Sequence, residues 1–234
     1  MTLFTHKTFQ NRLLAALLEE DVQRFFSDLH PVSFPLRHVI YEVGAPLEYV
    51  YFIEQGLASI LMNMSNGSTV EVGMIGTEGM VGMPALLGGV ISNRQFIVQS
   101  PITALRMNAA LCKTAFDQSA AVRRVVLRFT EAILDLAAQT AACNRLHLIE
   151  QRCARWLLMS SDRMRSDIIP MTHEFLSSML GVRRAGVTTT LGELTRSGLI
   201  EHGRGHLTIS DREGLEATAC ECYPLDRRRL ERLL

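Results

Sequence analysis

Between Thr172 and Ile209 the chain gathers side chains suited to contact with an anionic polymer. Arg183 and Arg184 follow a glycine, Thr188 and Thr189 come one helical turn later, and Arg204 stands between Gly203 and Gly205. A guanidinium presents a planar fork of donors that fits a phosphate, or the N7 and O6 edge of guanine, better than an ammonium does. Threonine offers a hydroxyl to phosphate and a methyl to thymine. Formal net charge is zero, so any affinity for nucleic acid must come from a local surface and not from the whole molecule. Nearly all the positive charge is arginine, Lys7 and Lys113 being the exceptions.

The elements that must position these groups are legible around them. Thr172 is a good N-cap for a short helix over His173 to Leu180, and Gly181 suits the left-handed turn that ends it. A second helix starts at Arg183 or Arg184 and runs to Ser197. Counted from His173, the small Ser177, the turn residue Gly181 and the branched Val187 fall where two steeply crossing helices need a close approach, a tight turn and a core plug. This is helix-turn-helix spacing, although helical hairpins that touch no DNA share it. Arg183, Arg184, Thr188 and Thr189 lie in the first turns of the second helix, where side chains reach base edges, while Leu191 and Leu194 face inward. Thr172 and His173, opening the first helix, join the same candidate contact set. Gly198 stops the second helix, Leu199 to Glu201 reads as a strand, Gly203 to Gly205 as a tight turn, and His206 to Ile209 as the returning strand of a β-wing. Arg204 at the tip suits a phosphate contact, and taken alone it is equally a solvated turn residue.

Upstream, Leu13, Leu14, Leu17, Leu18, Phe25 and Phe26 recur at helical spacing between Gln10 and Leu29, so a helix or two opens the chain. From Phe34 to Met107 short alternating runs, with turns at Gly44, Gly56 and Asn66-Gly67, predict a small antiparallel β-roll or barrel. Within it "GMVGMPALLGG" reads as a loop with about one helical turn. Val122, Val126, Phe129, Ile133, Leu136, Thr140 and Cys143 then alternate steps of four and three, the seam spacing of a two-stranded coiled coil. The first six are the candidate homodimer interface; a helix packed only on its own roll would show the same spacing. Another helix is expected from Leu146 to Met164, broken by "RSDIIP". The resulting division is residues 1–118 for the N-terminal helices and roll, 119–144 for the dimerisation helix, and 145–234 for the winged helix-turn-helix with its helical tail.

Five cysteines, an odd number without zinc-ribbon spacing, argue against a secreted disulfide framework and for a reduced cytoplasm. The N-terminal stretch lacks signal-peptide layout, and no apolar run approaches the roughly 18 residues of a membrane span, so no membrane partner is expected. Cys220 and Cys222 form a Cys-x-Cys pair read first as buried free thiols, with redox sensing or metal capture as the lesser reading. No metal site is expected.

An N-terminal β-roll, a long helix and a C-terminal winged helix in that order resemble the Crp/Fnr family of bacterial transcription regulators over essentially the whole chain. "VIYEVGAPLEYVYFIEQGLASIL", "GMVGMPALLGG" and "FLSSMLGVRRAGVTTTLGELTRSGLIEHGRG" carry the resemblance. It implies an α+β fold: an N-terminal antiparallel β-roll of cyclic-nucleotide-binding type, a long dimerisation helix and a C-terminal winged helix-turn-helix. It further implies a homodimer on a two-fold symmetric double-stranded DNA site, contact with RNA polymerase, and Arg184 as the guanine-reading arginine. Ala185 stands where many members carry glutamate, and Thr189 where they carry a further arginine, so a different half-site is expected.

The candidate effector pocket is Gly82, Met83, Ala85, Leu86 and Arg94. Cyclic-nucleotide binders of the family carry Gly-Glu-Leu followed later by Arg-Ser or Arg-Thr. Here Met83 replaces the glutamate, Pro84 follows, and Asn93 takes the arginine's place with Arg94 one step late. A thioether cannot accept a ribose hydroxyl as a carboxylate does, so cyclic AMP is disfavoured. Arg94 reads as a solvated loop charge before it reads as an anion clamp. Iron-sulfur members use an N-terminal cysteine cluster, whereas the first cysteine here is Cys112; heme is disfavoured because His38 is the lone histidine in the roll. A cupin-type enzyme would need clustered histidines and a carboxylate, and the seven histidines are dispersed in the sequence, so no enzyme is expected. The remaining alternative is a small-molecule-binding roll whose winged helix mediates protein contacts.

Overall fold

The computed structural model describes residues 9–17 and 27–233. The chain forms two compact units. One comprises Met1–Ile60, Met74–Leu134 and Glu231–Leu234, the other Leu61–Gly73 and Asp135–Leu230. Of the expected N-terminal helix, Leu18, Phe25 and Phe26 lie outside the described residues. What is described is α1 (Arg12–Ala15), capped by Asn11, whose Oδ1 accepts from the Leu14 N–H at 3.1 Å. Asn11 Nδ2 also donates to the carbonyls of Ile53 and Gly79 at 2.9 and 2.8 Å, which fastens this turn to the roll and leaves Leu13 and Leu14 fully buried.

The roll is built from β1 (His30–Phe34), β2 (Val39–Tyr41), β3 (Tyr49–Asn63), β4 (Thr69–Ile75), β5 (Met80–Val81) and β6 (Gln95–Asn108). The strand path is β1-β6-β3-β4, with β2 paired to β6 and β5 to β3. Alternation puts Val50, Phe52, Val98, Ile102 and Ala104 into the core. The Asn66-Gly67 turn joins β3 to β4 as expected, with Gly67 at φ +82° and Asn66 Oδ1 accepting from the Ser68 N–H. Gly56 is a correction. It is no turn but an interior position of β3, where a Cβ would sit 2.2 Å from the Pro101 carbonyl oxygen, so the glycine serves close approach of two strands.

After β6, α2 (Ala109–Gln118) is capped by Asn108, and α3 (Ala120–Leu146) follows, 27 residues and so about 40 Å long. The expected seam finds most of its partners within the chain. Val122, Val126, Phe129 and Leu136 are buried already, and Thr140 accepts from Arg155 Nη2 at 3.1 Å. Phe129 packs against Gly79 so closely that a Cβ there would lie 2.4 Å from its ring. Amphipathic spacing records which face is buried, not which chain buries it. The large apolar residues that α3 leaves exposed between its ends are Leu127 and Leu134.

In the second unit come α4 (Ile149–Met164), β7 (Ile168–Pro170), α5 (His173–Leu180), α6 (Arg184–Arg196), β8 (Ile200–Gly203), β9 (His206–Ile209), α7 (Arg212–Thr218) and α8 (Cys222–Glu231). The expected helix break at "RSDIIP" is a strand: Ile168, Ile169 and Pro170 pair antiparallel with Thr208, Leu207 and His206, making a three-stranded sheet in the order β7-β9-β8. Leu157, Leu158, Leu176, Val187, Leu191, Leu194 and Leu215 form the interior on which these helices meet.

Candidate nucleic-acid interface

The two crossing helices are held by local chemistry. Thr172 Oγ1 accepts from the Phe175 N–H at 3.2 Å to start α5, and Gly181 at φ +62° ends it. Arg152, buried in α4, donates through Nη2 to the Leu180 carbonyl, so a cation satisfies the C-terminus of α5. Sequence reading missed that arginine, since nothing in its spacing separates it from a solvated one. Ser177 is buried and donates to the Glu174 carbonyl at 2.7 Å, while Val187, Leu191 and Leu194 have no exposed surface.

What faces outward on α6 is the predicted set. Arg183 precedes the first turn as N-cap, and Arg183, Arg184, Thr188 and Thr189 are all exposed. Arg184 keeps 70% of its side chain exposed and lies 3.9 Å from Glu174, itself 73% exposed, a pairing that water screens heavily. Thr188 Oγ1 donates to the Arg184 carbonyl at 3.1 Å and lies 3.0 Å from His173 Nδ1. With its hydroxyl hydrogen on the helix and the imidazole beside its oxygen, Thr188 has its methyl and one lone pair uncommitted. Thr189 donates to the Ala185 carbonyl at 3.2 Å and keeps its oxygen as an acceptor.

The wing is a two-residue turn. Gly203 pairs with His206 across β8 and β9, Arg204 and Gly205 span the gap, and Gly205 takes φ +79°. The His206 ring lies over Gly203, where a Cβ would fall 2.0 Å from Nε2. The Met171 N–H donates to the Gly205 carbonyl at 2.9 Å, which ties the wing turn to the start of α5. As a result Thr172, His173, Arg184, His202, Gly203, Gly205 and His206 line one open cleft. His173 and His202 stand 5.3 Å apart ring to ring. Partial burial first, then the neighbouring His202 and Arg184, hold the His173 pKa below its ordinary value. His173 therefore meets His202 and His206, about thirty residues on, in the cleft that Arg184 also lines.

The candidate effector residues sit in the first unit. Gly82 takes φ +96°, and a Cβ there would lie 2.5 Å from the Tyr49 carbonyl oxygen. Met83 and Ala85, in a short 3-10 helix over Met83–Leu87, are half-buried, and Leu86 is buried. Met83 Sδ lies 3.2 Å from Thr130 Oγ1, whose hydroxyl also reaches the Val126 carbonyl at 2.9 Å, so the atom that the resemblance sets in the carboxylate's place is packed against the chain itself. Arg94 is exposed on the turn before β6, where its backbone bonds Ser92 Oγ.

Two family models match the chain: a cyclic nucleotide-binding domain over residues 31–119 and a Crp-like helix-turn-helix domain over residues 151–218. The chain belongs to the Crp/Fnr family of transcription regulators. It is 22% identical over 213 residues to the global nitrogen regulator of Synechocystis, covering 86% of this chain and 92% of that protein. A CRP-family transcriptional regulator of Thermus thermophilus superposes with TM-score 0.70 at 19% identity, covering 80% of this chain and 96% of that one. A Crp/Fnr-family regulator of Eubacterium rectale superposes with TM-score 0.68 at 16% identity, over 86% and 94%. These structural likenesses show the α+β fold, and the family model its helix-turn-helix domain. Among the described residues no helix is long and apolar enough to cross a membrane.

Proposed function

We propose that this Crp/Fnr regulator acts as a homodimer on a two-fold symmetric operator, with α6 in the major groove of each half-site and Arg204 on a phosphate. The observation that carries the reading is the shared cleft. Arg184, the capped start of α5 and the wing turn line one surface, so base readout and backbone contact are offered together. Arg184 reads guanine, Thr189 accepts from a base amino group, and Arg183 and Arg204 neutralise phosphates. Two such surfaces meet successive turns of B-DNA when they stand roughly 34 Å apart. Leu127 and Leu134 supply the apolar stripe of α3 for the second copy. By family, the bound dimer contacts RNA polymerase, in the cytoplasm.

The effector, if one is required, is not cyclic AMP. Met83 offers no carboxylate for a ribose hydroxyl, and its sulfur already faces Thr130. Selection of bound duplexes from a random pool with purified protein tests the reading: it returns a site with two-fold symmetry, bound with an affinity that falls steeply with salt. Recovery of no preferred duplex, or of a single asymmetric half-site by a monomer in solution, overturns it.

A further inference from the structure

The second unit also brings four metal-ligating side chains together. Cys143 and His147 lie one turn apart at the end of α3, and the His147 N–H continues the helix by donating to the Cys143 carbonyl. Cys220 and Cys222 flank Glu221 at the junction of α7 and α8. Cys143 Sγ and Cys220 Sγ are 3.5 Å apart across 77 residues of sequence, and Cys222 Sγ is 3.7 Å from His147 Nδ1. All four ligand atoms lie within 4.8 Å of one another.

We propose that Cys143, His147, Cys220 and Cys222 bind one Zn²⁺ ion in a closed tetrahedral Cys₃His site that fastens the end of α3 to the last two helices. Ions bonded to sulfur at about 2.3 Å hold tetrahedral sulfurs about 3.8 Å apart, close to the spacing already present. A multi-iron cluster spreads its thiolates over separate iron atoms and needs a wider cage than this one. The ligand set is thiolate-rich with one imidazole, which suits a borderline-soft ion and not Mg²⁺ or Ca²⁺.

The surrounding groups are arranged as outer-shell partners. His147 Nε2 lies 3.2 Å from Glu221 Oε1, so its N–H points at the carboxylate and Nδ1 is left as the ligand atom. Gln139 Nε2 donates to Cys222 Sγ at 3.0 Å, a bond that supports a thiolate. Cys112 and Cys153 stand outside the cluster as buried core residues, and burial pushes both thiols up to about 12. On binding, the ion displaces the thiol protons of the three cysteines and takes His147 neutral, so affinity falls as pH falls.

Elemental analysis of the full-length protein, purified under reducing conditions and passed through metal-free buffer, tests the site: about one zinc per chain is expected. Stripped protein titrated with Co²⁺ gives thiolate-to-cobalt charge-transfer absorption and the intense visible bands of a tetrahedral ion, both displaced by Zn²⁺. Cys220→Ala and Cys222→Ala lose the metal, whereas Cys112→Ala retains it. The cobalt spectrum of the unmutated chain decides the matter even where a cysteine variant misfolds. Absence of thiolate-to-cobalt absorption in the unmutated chain overturns the proposal, as do iron with acid-labile sulfide, or a Cys143–Cys220 disulfide in place of metal. DNA binding enters none of these readouts, so failure here leaves the operator reading untouched.

Discussion

The place where α3, α4 and α8 meet and the open face of α6 use the same residue type in opposite ways. In the first, Arg155 donates from Nε and Nη2 to Asp226 Oδ2 at 3.0 and 2.6 Å, with the two side chains only 8% and 0% exposed. In the second, Arg184 stands in water beside a distant Glu174. A buried ion pair is held because removing one partner strands the other in a poor solvent, while an exposed one contributes little and can be exchanged for an outside anion. The difference teaches where to look for function: in arginines the fold can do without.

The sharpest way to break that contrast is Asp226→Ala. It leaves Arg155 without its buried counter-ion and should lower the unfolding free energy by roughly 3–5 kcal/mol, read by chemical denaturation. A loss no larger than that of an exposed charge would erase the distinction. Next, Arg184→Ala should leave the denaturation midpoint in place and cost about 1–3 kcal/mol of discrimination between the selected operator and one altered at the contacted guanine. Arg204→Ala should weaken all duplexes comparably and reduce the slope of log affinity against log salt by about 1, measured by fluorescence anisotropy.

The smallest expected effect comes from His173. Its folded pKa lies below its unfolded value of about 6.5, so the unfolded chain takes up the proton more readily. The contribution is full above the unfolded pKa and is lost as pH falls toward the folded one. His173→Gln should therefore flatten the decline in stability between neutral and mildly acidic solution. A decline of unchanged steepness would show that His173 is not the titrating group.

The winged helix was legible because its signals are local. Thr172, Gly181 and Gly205 each do their work within a few residues, and the expected helix His173–Leu180 and strand His206–Ile209 coincide with those in the structure. β7 was not legible, since three residues ending in proline carry no alternation and become a strand only by pairing with β9. The spacing of the α3 seam predicts a homodimer interface, but periodicity does not name the partner, and Val122 and Phe129 are already buried within the chain. The Cys220-x-Cys222 pair and the one-turn spacing of Cys143 and His147 are visible in the sequence, but the meeting of the two pairs, like that of His173 with His202, is a property of folding back and leaves no mark in spacing.

Thr188 carries one more implication. Its hydroxyl hydrogen is held by the Arg184 carbonyl and its oxygen lies beside the His173 ring, so the methyl is the part of the side chain least committed within the chain. A methyl registers greasiness in the groove and is blind to donors and acceptors. Replacing an operator thymine by uracil, which deletes one C5 methyl and nothing else, should loosen the grip at that step, and restoring the carbon as 5-methylcytosine in a substituted pair should recover part of it.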